Sequence, residues 1–340
     1  MGKNWDIMQQ YKDRVVVITG ASGGVGRATA HAFAVEGAKI VLVARGREQL
    51  AVTQQEVEAL GARALVMPAD VADAAQMEAV AEQTESIFGP IDIWVNNAMV
   101  SVFAPIREIS PEEFRRVTEV TYLGQVYGAM AALRRMLPRD RGSIVFVGSA
   151  LAYRGIPLQS AYCGAKHGIE GFYDSLRCEL LHDKSNIRTC MVQLPAMNTT
   201  QFGWVLNRMP RKPRPMGKIY QPEVAARAIL YAAAHNRRTI WVGSTTWKAI
   251  LGNKISPTAG DHVLAREGYK GQQTSEPVSP DRVNNVWEPV EEDRGTHGGF
   301  SAMSTNHSLT LWAAMHRGLL VLGTGIAALS TTLLLRRVRK

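Results

Sequence analysis

From Arg14 onward, short runs of β-branched and aliphatic residues alternate with longer amphipathic stretches. The apolar runs are VVVIT at 15–19, IVLVA at 40–44, ALVM at 64–67, IDIWV at 91–95, SIVFV at 143–147 and TCMVQL at 189–194, with a further run at Thr239–Val242. Near-continuous apolar character suits strands buried on both faces, and amphipathic connections suit crossover helices. The pattern predicts an α/β fold: a doubly wound parallel sheet of about seven strands, with right-handed crossovers and helices on both faces. Pro111–Leu137 predicts one long helix, with Ser110 as its cap, Pro111 in its first turn and Glu113 closing a capping box.

The alternation lapses near Ser244. Residues 244–308 are rich in Gly, Pro, Ser, Thr and charge, too long for a loop inside a compact domain, and are expected to form an irregular linker or wrapped extension. Gly318–Leu335 then runs for 18 residues without a charge, and residues 336–340 read RRVRK. As a helix this stretch would reach about 27 Å, close to the hydrocarbon thickness of a bilayer. Two readings stand for 309–335: a membrane-associated helix with Trp312 at headgroup depth, or a buried C-terminal helix. Residues 1–13 are polar and lack the apolar core of a secretion signal. The expected organisation is a short N-terminal segment (1–13), a nucleotide-binding domain (14–243), an extension (244–308), an apolar helix (309–335) and a basic tail (336–340). The expected location is a membrane surface, with the domain facing the cytoplasm.

Hydrophobic residues make up 46% of the chain, which excludes global disorder. The formal net charge of +9 suggests a polyanion partner only until it is placed along the sequence. Arg317, Arg336, Arg337, Arg339 and Lys340 stand in a C-terminal stretch without acids, and RMPRKPRPMGK at 208–218 forms a second basic run. No nucleic-acid partner is expected. Cys163, Cys178 and Cys190 have no C-x-x-C spacing and the histidines are scattered, so neither a disulfide framework nor a metal site is expected.

The first strand runs into Thr19-Gly20-Ala21-Ser22-Gly23-Gly24-Val25-Gly26 and then a helical stretch. Glycines there let the backbone approach a pyrophosphate at a helix N-terminus, whose unpaired N–H groups favour negative charge. The second strand ends in Ala44-Arg45-Gly46-Arg47, with no carboxylate to hold a ribose 2′-hydroxyl. Arg45 can instead pair with a 2′-phosphate, which favours NADP over NAD; a merely solvated loop is the other reading. Ser149 ends the fifth strand, and Tyr162 and Lys166 follow at a spacing that puts both on one helical face. An ammonium beside a phenol is expected to lower its pKa toward useful acid–base chemistry, with Ser149 donating to a substrate carbonyl oxygen.

Together, the T-G-x-x-x-G-x-G turn, Asn96-Asn97-Ala98 and the Ser149, Tyr162, Lys166 set resemble the short-chain dehydrogenase/reductase family over roughly Arg14 to Gly243. The resemblance implies that Tyr162 exchanges a proton with the substrate oxygen, that Lys166 tunes it and binds the nicotinamide ribose, and that Ser149 orients the carbonyl. It implies cofactor contacts at Gly20, Ser22, Gly24, Val25, Gly26, Asp70, Val71, Asn97 and Ala98, with Pro195 and Thr200 closing over the nicotinamide. It places 208–218 as a basic mobile cover over the substrate, suggesting an anionic or carrier-linked substrate or contact with an anionic membrane; a solvated loop is equally compatible. Met99, Thr121 and Ala196 depart from the family pattern; Thr121 stands where an Asn supports a water relay to the lysine, and it remains a fourth catalytic candidate because its hydroxyl could still hold a water and the backbone carbonyl there survives the change. The expectation is an NADP(H)-dependent oxidoreductase of a small hydrophobic carbonyl or alcohol, forming a homodimer or homotetramer through helices such as Pro111–Leu137 and Ser160–Leu181. The alternative is a non-catalytic, NADP(H)-responsive membrane scaffold.

Overall fold

A computed structural model describes residues 10–279 and 281–317. Seven parallel strands form the central sheet: β1 (Val15–Thr19), β2 (Lys39–Ala44), β3 (Arg63–Pro68), β4 (Ile93–Asn96), β5 (Ser143–Ser149), β6 (Arg188–Leu194) and β7 (Thr239–Trp241). Their spatial order is β3-β2-β1-β4-β5-β6-β7, so the chain reverses direction across the sheet between β1 and β4. The C-terminal strand ends beside that reversal are where a doubly wound sheet opens a crevice.

The two-residue side-chain period of the strands sorts the apolar residues into two layers. Val16, Ile18, Ile40 and Leu42 point to one face, with Phe33 of α1 (Gly24–Val35) and Leu50 of α2 (Arg47–Ala59). Val15, Val17, Val41 and Val43 point to the other, with Met77 of α3 (Ala74–Phe88). Burial on both sides explains why these strands read as unbroken apolar runs.

The long helix expected at Pro111–Leu137 is divided. It consists of α4 (Pro111–Thr118), a π-helical turn at Glu119–Leu123, and α5 (Gly124–Met136). The capping box is present, Glu113 N–H donating to Ser110 Oγ at 3.3 Å and Ser110 N–H to Glu113 Oε2 at 2.9 Å. An apolar period cannot report a π turn, because one extra residue per turn leaves most of the helical pattern intact; such turns are frequent at functional sites.

The stretch expected to be irregular contains two helices. After α6 (Ser160–His182), α7 (Gln201–Trp204) and α8 (Pro222–Ala234) come α9 (Ser244–Ile255) and α10 (Pro257–Gly271). Ser256 caps α10 by accepting from Ala259 N–H, but α9 buries only Thr246 and Ile250, too little to show as an apolar stripe. Gln273–Pro277 pairs antiparallel with Arg211–Pro213, inside the segment expected to be a mobile basic cover. That cover is tied down further: Arg208 pairs with Glu113 and Lys212 with Glu276. The remaining extension runs along the sheet end, where Ser304–Thr305 joins Ile219–Tyr220, which in turn joins Ala196–Met197. It ends in α11 (Leu309–Met315), anchored by buried Leu311. Among the described residues no helix is long and apolar enough to cross a membrane. The charge-free stretch Gly318–Leu335 and the basic tail lie outside the described residues.

Candidate functional site

One cleft runs along the C-terminal ends of the strands, from Arg45 and Asp70 past the glycine turn to Ser149, Tyr162 and Lys166. The turn is shaped by its own backbone. Gly20 and Gly24 have φ of +68° and +53°, a region that L side chains rarely adopt. A Cβ on Gly26 would stand 2.0 Å from the Gly20 carbonyl oxygen, so that position accepts no side chain. Gly23 precedes α1 without a side-chain cap, and α1 has no acid in its first turn. The helix end therefore keeps its positive character for a ligand.

Asn97 holds this turn closed, its amide donating to Thr19 O at 2.9 Å and to Gly20 O at 3.3 Å. Thr19 Oγ1 accepts from Asn97 and Ala98 N–H, welding the ends of β1 and β4 together. Ser22, Gly24, Val25, Val71, Ala98, Pro195 and Thr200 line the cleft, so the expected binding residues converge on one surface.

At the far end the arginine has partners that the sequence did not announce. Arg45 donates to the backbone carbonyls of Asn285 and Trp287. The Asp70 carboxylate is paired with Arg116, and Arg116 Nε also reaches the Val286 carbonyl at 3.1 Å. Burial lowers the pKa of Arg45, helped by neighbouring Arg116 and opposed by Asp70. A local reading of Ala44-Arg45-Gly46-Arg47 could not supply these contacts, because the carbonyls come from a segment some 240 residues away in sequence.

The other end carries the proton chemistry. Ser149 terminates β5 and its Oγ accepts from Leu151 N–H at 3.1 Å. Tyr162 and Lys166 stand one turn apart on α6, with Lys166 Nζ 5.6 Å from the centre of the Tyr162 ring. Lys166 is 2% exposed, and its ammonium donates to Val147 O at 2.7 Å. Burial pulls its pKa from the ordinary 10.5 to about 7. Burial also raises the Tyr162 phenol above its ordinary value, against the opposing hydrogen bond of Ser149. The phenol thus moves opposite to the lowering expected from Lys166, with desolvation setting the direction and Ser149 the opposing influence. An ammonium that releases its proton near neutrality exerts only a partial charge's pull.

Thr121 sits in the π turn, fully buried, its hydroxyl donating to Val100 O at 2.8 Å and accepting from Val100 N–H at 3.1 Å. The expected water-holding hydroxyl is therefore engaged in fixing the loop after β4, next to Met99. Sequence reasoning missed Met216, Thr245 and Ala249, which line the apolar end of the cleft with Leu151, Ile156 and Phe202. It also missed Asn285, Pro289 and Val290, which line the other end. The one available signal was the acid-rich run Glu288–Asp293, complementary to the arginines of the domain. Among the described residues no cluster of acids, histidines and cysteines could hold a metal ion.

Residues 14–209 match the family of the short chain dehydrogenases. The chain is similar to the uncharacterized oxidoreductase YxnA of Bacillus subtilis, 32% identical over 299 residues that make up 86% of this chain and 83% of that protein. It is similar to the ketoacyl reductase HetN of a Nostoc species, 30% identical over 287 residues, 83% of this chain and 98% of HetN. Among solved structures, a short chain dehydrogenase from Mycobacterium paratuberculosis bound to NAD aligns with a TM-score of 0.59 at 25% identity, over 68% of this chain and 96% of that one.

Proposed function

This chain belongs to the short-chain dehydrogenase/reductase family and is an oxidoreductase of that kind, and we propose that it moves a hydride between NADP(H) and a hydrophobic ketone, aldehyde or alcohol. The observation that carries this reading is the meeting of Ser149, Tyr162 and Lys166 in the same cleft as the glycine turn. The residues present suit a nicotinamide dinucleotide. The turn leaves a cradle that a side chain on Gly20, Gly24 or Gly26 would disturb, and the α1 terminus, which has no side-chain cap and no acid in its first turn, suits a diphosphate.

When bound, the nicotinamide supplies or accepts the hydride. Tyr162 then gives or takes the proton at the substrate oxygen, Ser149 hydrogen-bonds that oxygen, and Lys166 holds the ribose and biases the phenol through its charge. Asp70, Val71, Asn97 and Ala98, which line the cleft, would hold the adenosine and ribose, and Pro195 and Thr200 the nicotinamide. Leu151, Ile156, Met216 and Ala249 offer the substrate an apolar surface, which supports a hydrophobic carbonyl or alcohol.

The preference for NADP rests on Arg45 and on the lack of a carboxylate at the end of β2. Arg45→Ala should weaken NADPH about tenfold or more beyond whatever it costs NADH, because only NADPH carries the 2′-phosphate. Titration of intrinsic fluorescence with each dinucleotide measures this, and an equal loss for both would assign Arg45 a purely structural part. Because 309–315 is α11, docked on the domain through Leu311, we propose membrane contact through the charge-free Gly318–Leu335 alone, catalytic domain toward the cytoplasm, as a surface contact that keeps RRVRK on the cytoplasmic side rather than a single span that would export it. Recovery of the full chain and of a chain ending at Arg317 in the same soluble fraction would refute that placement. Self-association into a dimer or tetramer through α4, α5 and α6 is a further expectation. A single monomer mass in sedimentation would contradict it.

A further inference from the structure

The extension does more than lengthen the domain. Residues 284–298 pass over the adenosine half of the cleft as a strap, and nearly every anchor is a residue next to the dinucleotide cradle. Arg45 and Arg116 hold the carbonyls of Asn285–Trp287. Gln49 holds the carbonyls of Val290 and Glu291. Arg27, only 2% exposed on α1, pairs with Asp293 as well as Glu56. Gly24 N–H, at the start of α1, donates to Gly295 O at 3.3 Å. The strap is also tied to the segment beyond the nicotinamide end, through Asn285 N–H to Trp204 O at 3.0 Å and Arg294 to Gly203 O at 3.0 Å.

Resting on the reading of the cleft as a dinucleotide site, we propose that this strap is a clasp that retains the bound dinucleotide. Two features favour a clasp over a competitor for the site. Asn285, Pro289 and Val290 wall an open cleft rather than fill it, opposite Arg45 and Gln49. The strap's hydrogen bonds to Arg45 come from neutral carbonyls and its Glu288 acts on that guanidinium only through space, so Arg45 forms no ion pair among the described residues and can still attract a phosphate, whereas Arg116 is already paired with Asp70. A ligand beneath the strap enters and leaves only when the strap lifts, and a clasp is held more firmly with its ligand beneath it, so the contacts at Arg27 and Gln49 slow release more than entry.

The test is NADPH dissociation from the full-length protein, followed by nucleotide fluorescence after displacement with excess NADP, and repeated with NADH. Asp293→Ala removes an anchor that does not line the cleft and leaves Arg27 paired with Glu56. We expect it to speed dissociation at least about fivefold, with association changed less than about twofold. Amide hydrogen exchange across 285–296 should slow at least about threefold when NADPH is added to the wild type. Unchanged dissociation of the variant would overturn the clasp, as would exchange left unchanged by NADPH, and so would tighter binding by the variant, which would make the strap a competitor. If the wild type binds neither dinucleotide, the reading of the cleft itself falls; binding with unaltered release removes the clasp alone.

Discussion

Replacing Tyr162 by phenylalanine lowers kcat by about a thousandfold or more while leaving NADPH affinity within about twofold. Only the phenolic oxygen is lost, and the ring still packs against the buried apolar layer that includes Val15, Val17 and Met77. Ser149 can still hydrogen-bond the substrate oxygen, but an aliphatic hydroxyl is a far weaker acid than a phenol and does not replace Tyr162 as the proton donor. Desolvation keeps Tyr162 protonated well above neutral pH, so in the reduction direction the proton to be donated is present across the physiological range. Steady-state rates and dinucleotide titrations on the same preparations check this. Turnover of the variant within tenfold of the wild type would remove Tyr162 from proton transfer.

Lys166→Met is expected to act in opposite directions on activity and stability. Activity falls by about two orders of magnitude or more, because the charge that biases the phenol and the donor that holds the ribose both disappear. Stability of the dinucleotide-free protein rises at neutral and lower pH. The unfolded chain keeps the lysine proton up to 10.5, whereas the folded chain releases it near 7. Between these values the unfolded state binds more protons, so the lysine's destabilisation is complete below pH 7 and fades as pH rises toward 10.5. Its magnitude is on the order of a few kcal/mol, reduced by loss of the 2.7 Å bond from Nζ to Val147 O. Urea unfolding at about pH 6.5 and about pH 8.5 should show the wild type gaining stability with pH relative to the methionine variant. Parallel curves for the two proteins would mean that Lys166 keeps an ordinary pKa despite its burial.

The sheet was legible because its strands are covered on both faces, which writes each one as an apolar run of its own length. Val15–Thr19 and Ser143–Ser149 stand where those runs stand. The run at 91–95 begins pairing later, at Ile93, because the Asp92 carboxylate accepts from Val15 N–H and Arg14 at the edge of the ladder. Ser149, Tyr162 and Lys166 could be placed together because a strand end and one helical turn fix them within short sequence distances. The glycine turn was readable for the same reason.

What stayed hidden depends on contacts across long sequence separations. Arg45 showed its charge but not the carbonyls of Asn285 and Trp287 that hold it. The 208–218 run showed its basic residues and prolines, yet Glu113 and Glu276, which neutralise two of them, lie far along the chain. α9 and α10 buried too few apolar side chains to stand out from polar sequence. The phenol of Tyr162 was expected to be lowered by its lysine because spacing reveals proximity but not desolvation, and burial of both groups reverses the balance.

The most direct test of hydride transfer is to supply the purified protein with NADPH deuterated at the transferable position of nicotinamide C4 and a panel of apolar ketones and aldehydes. The expected product is an alcohol carrying deuterium on the carbon that was the carbonyl carbon, formed by the wild type and lost in Tyr162→Phe. Tight NADPH binding with no deuterium transferred to any member of the panel would contradict it.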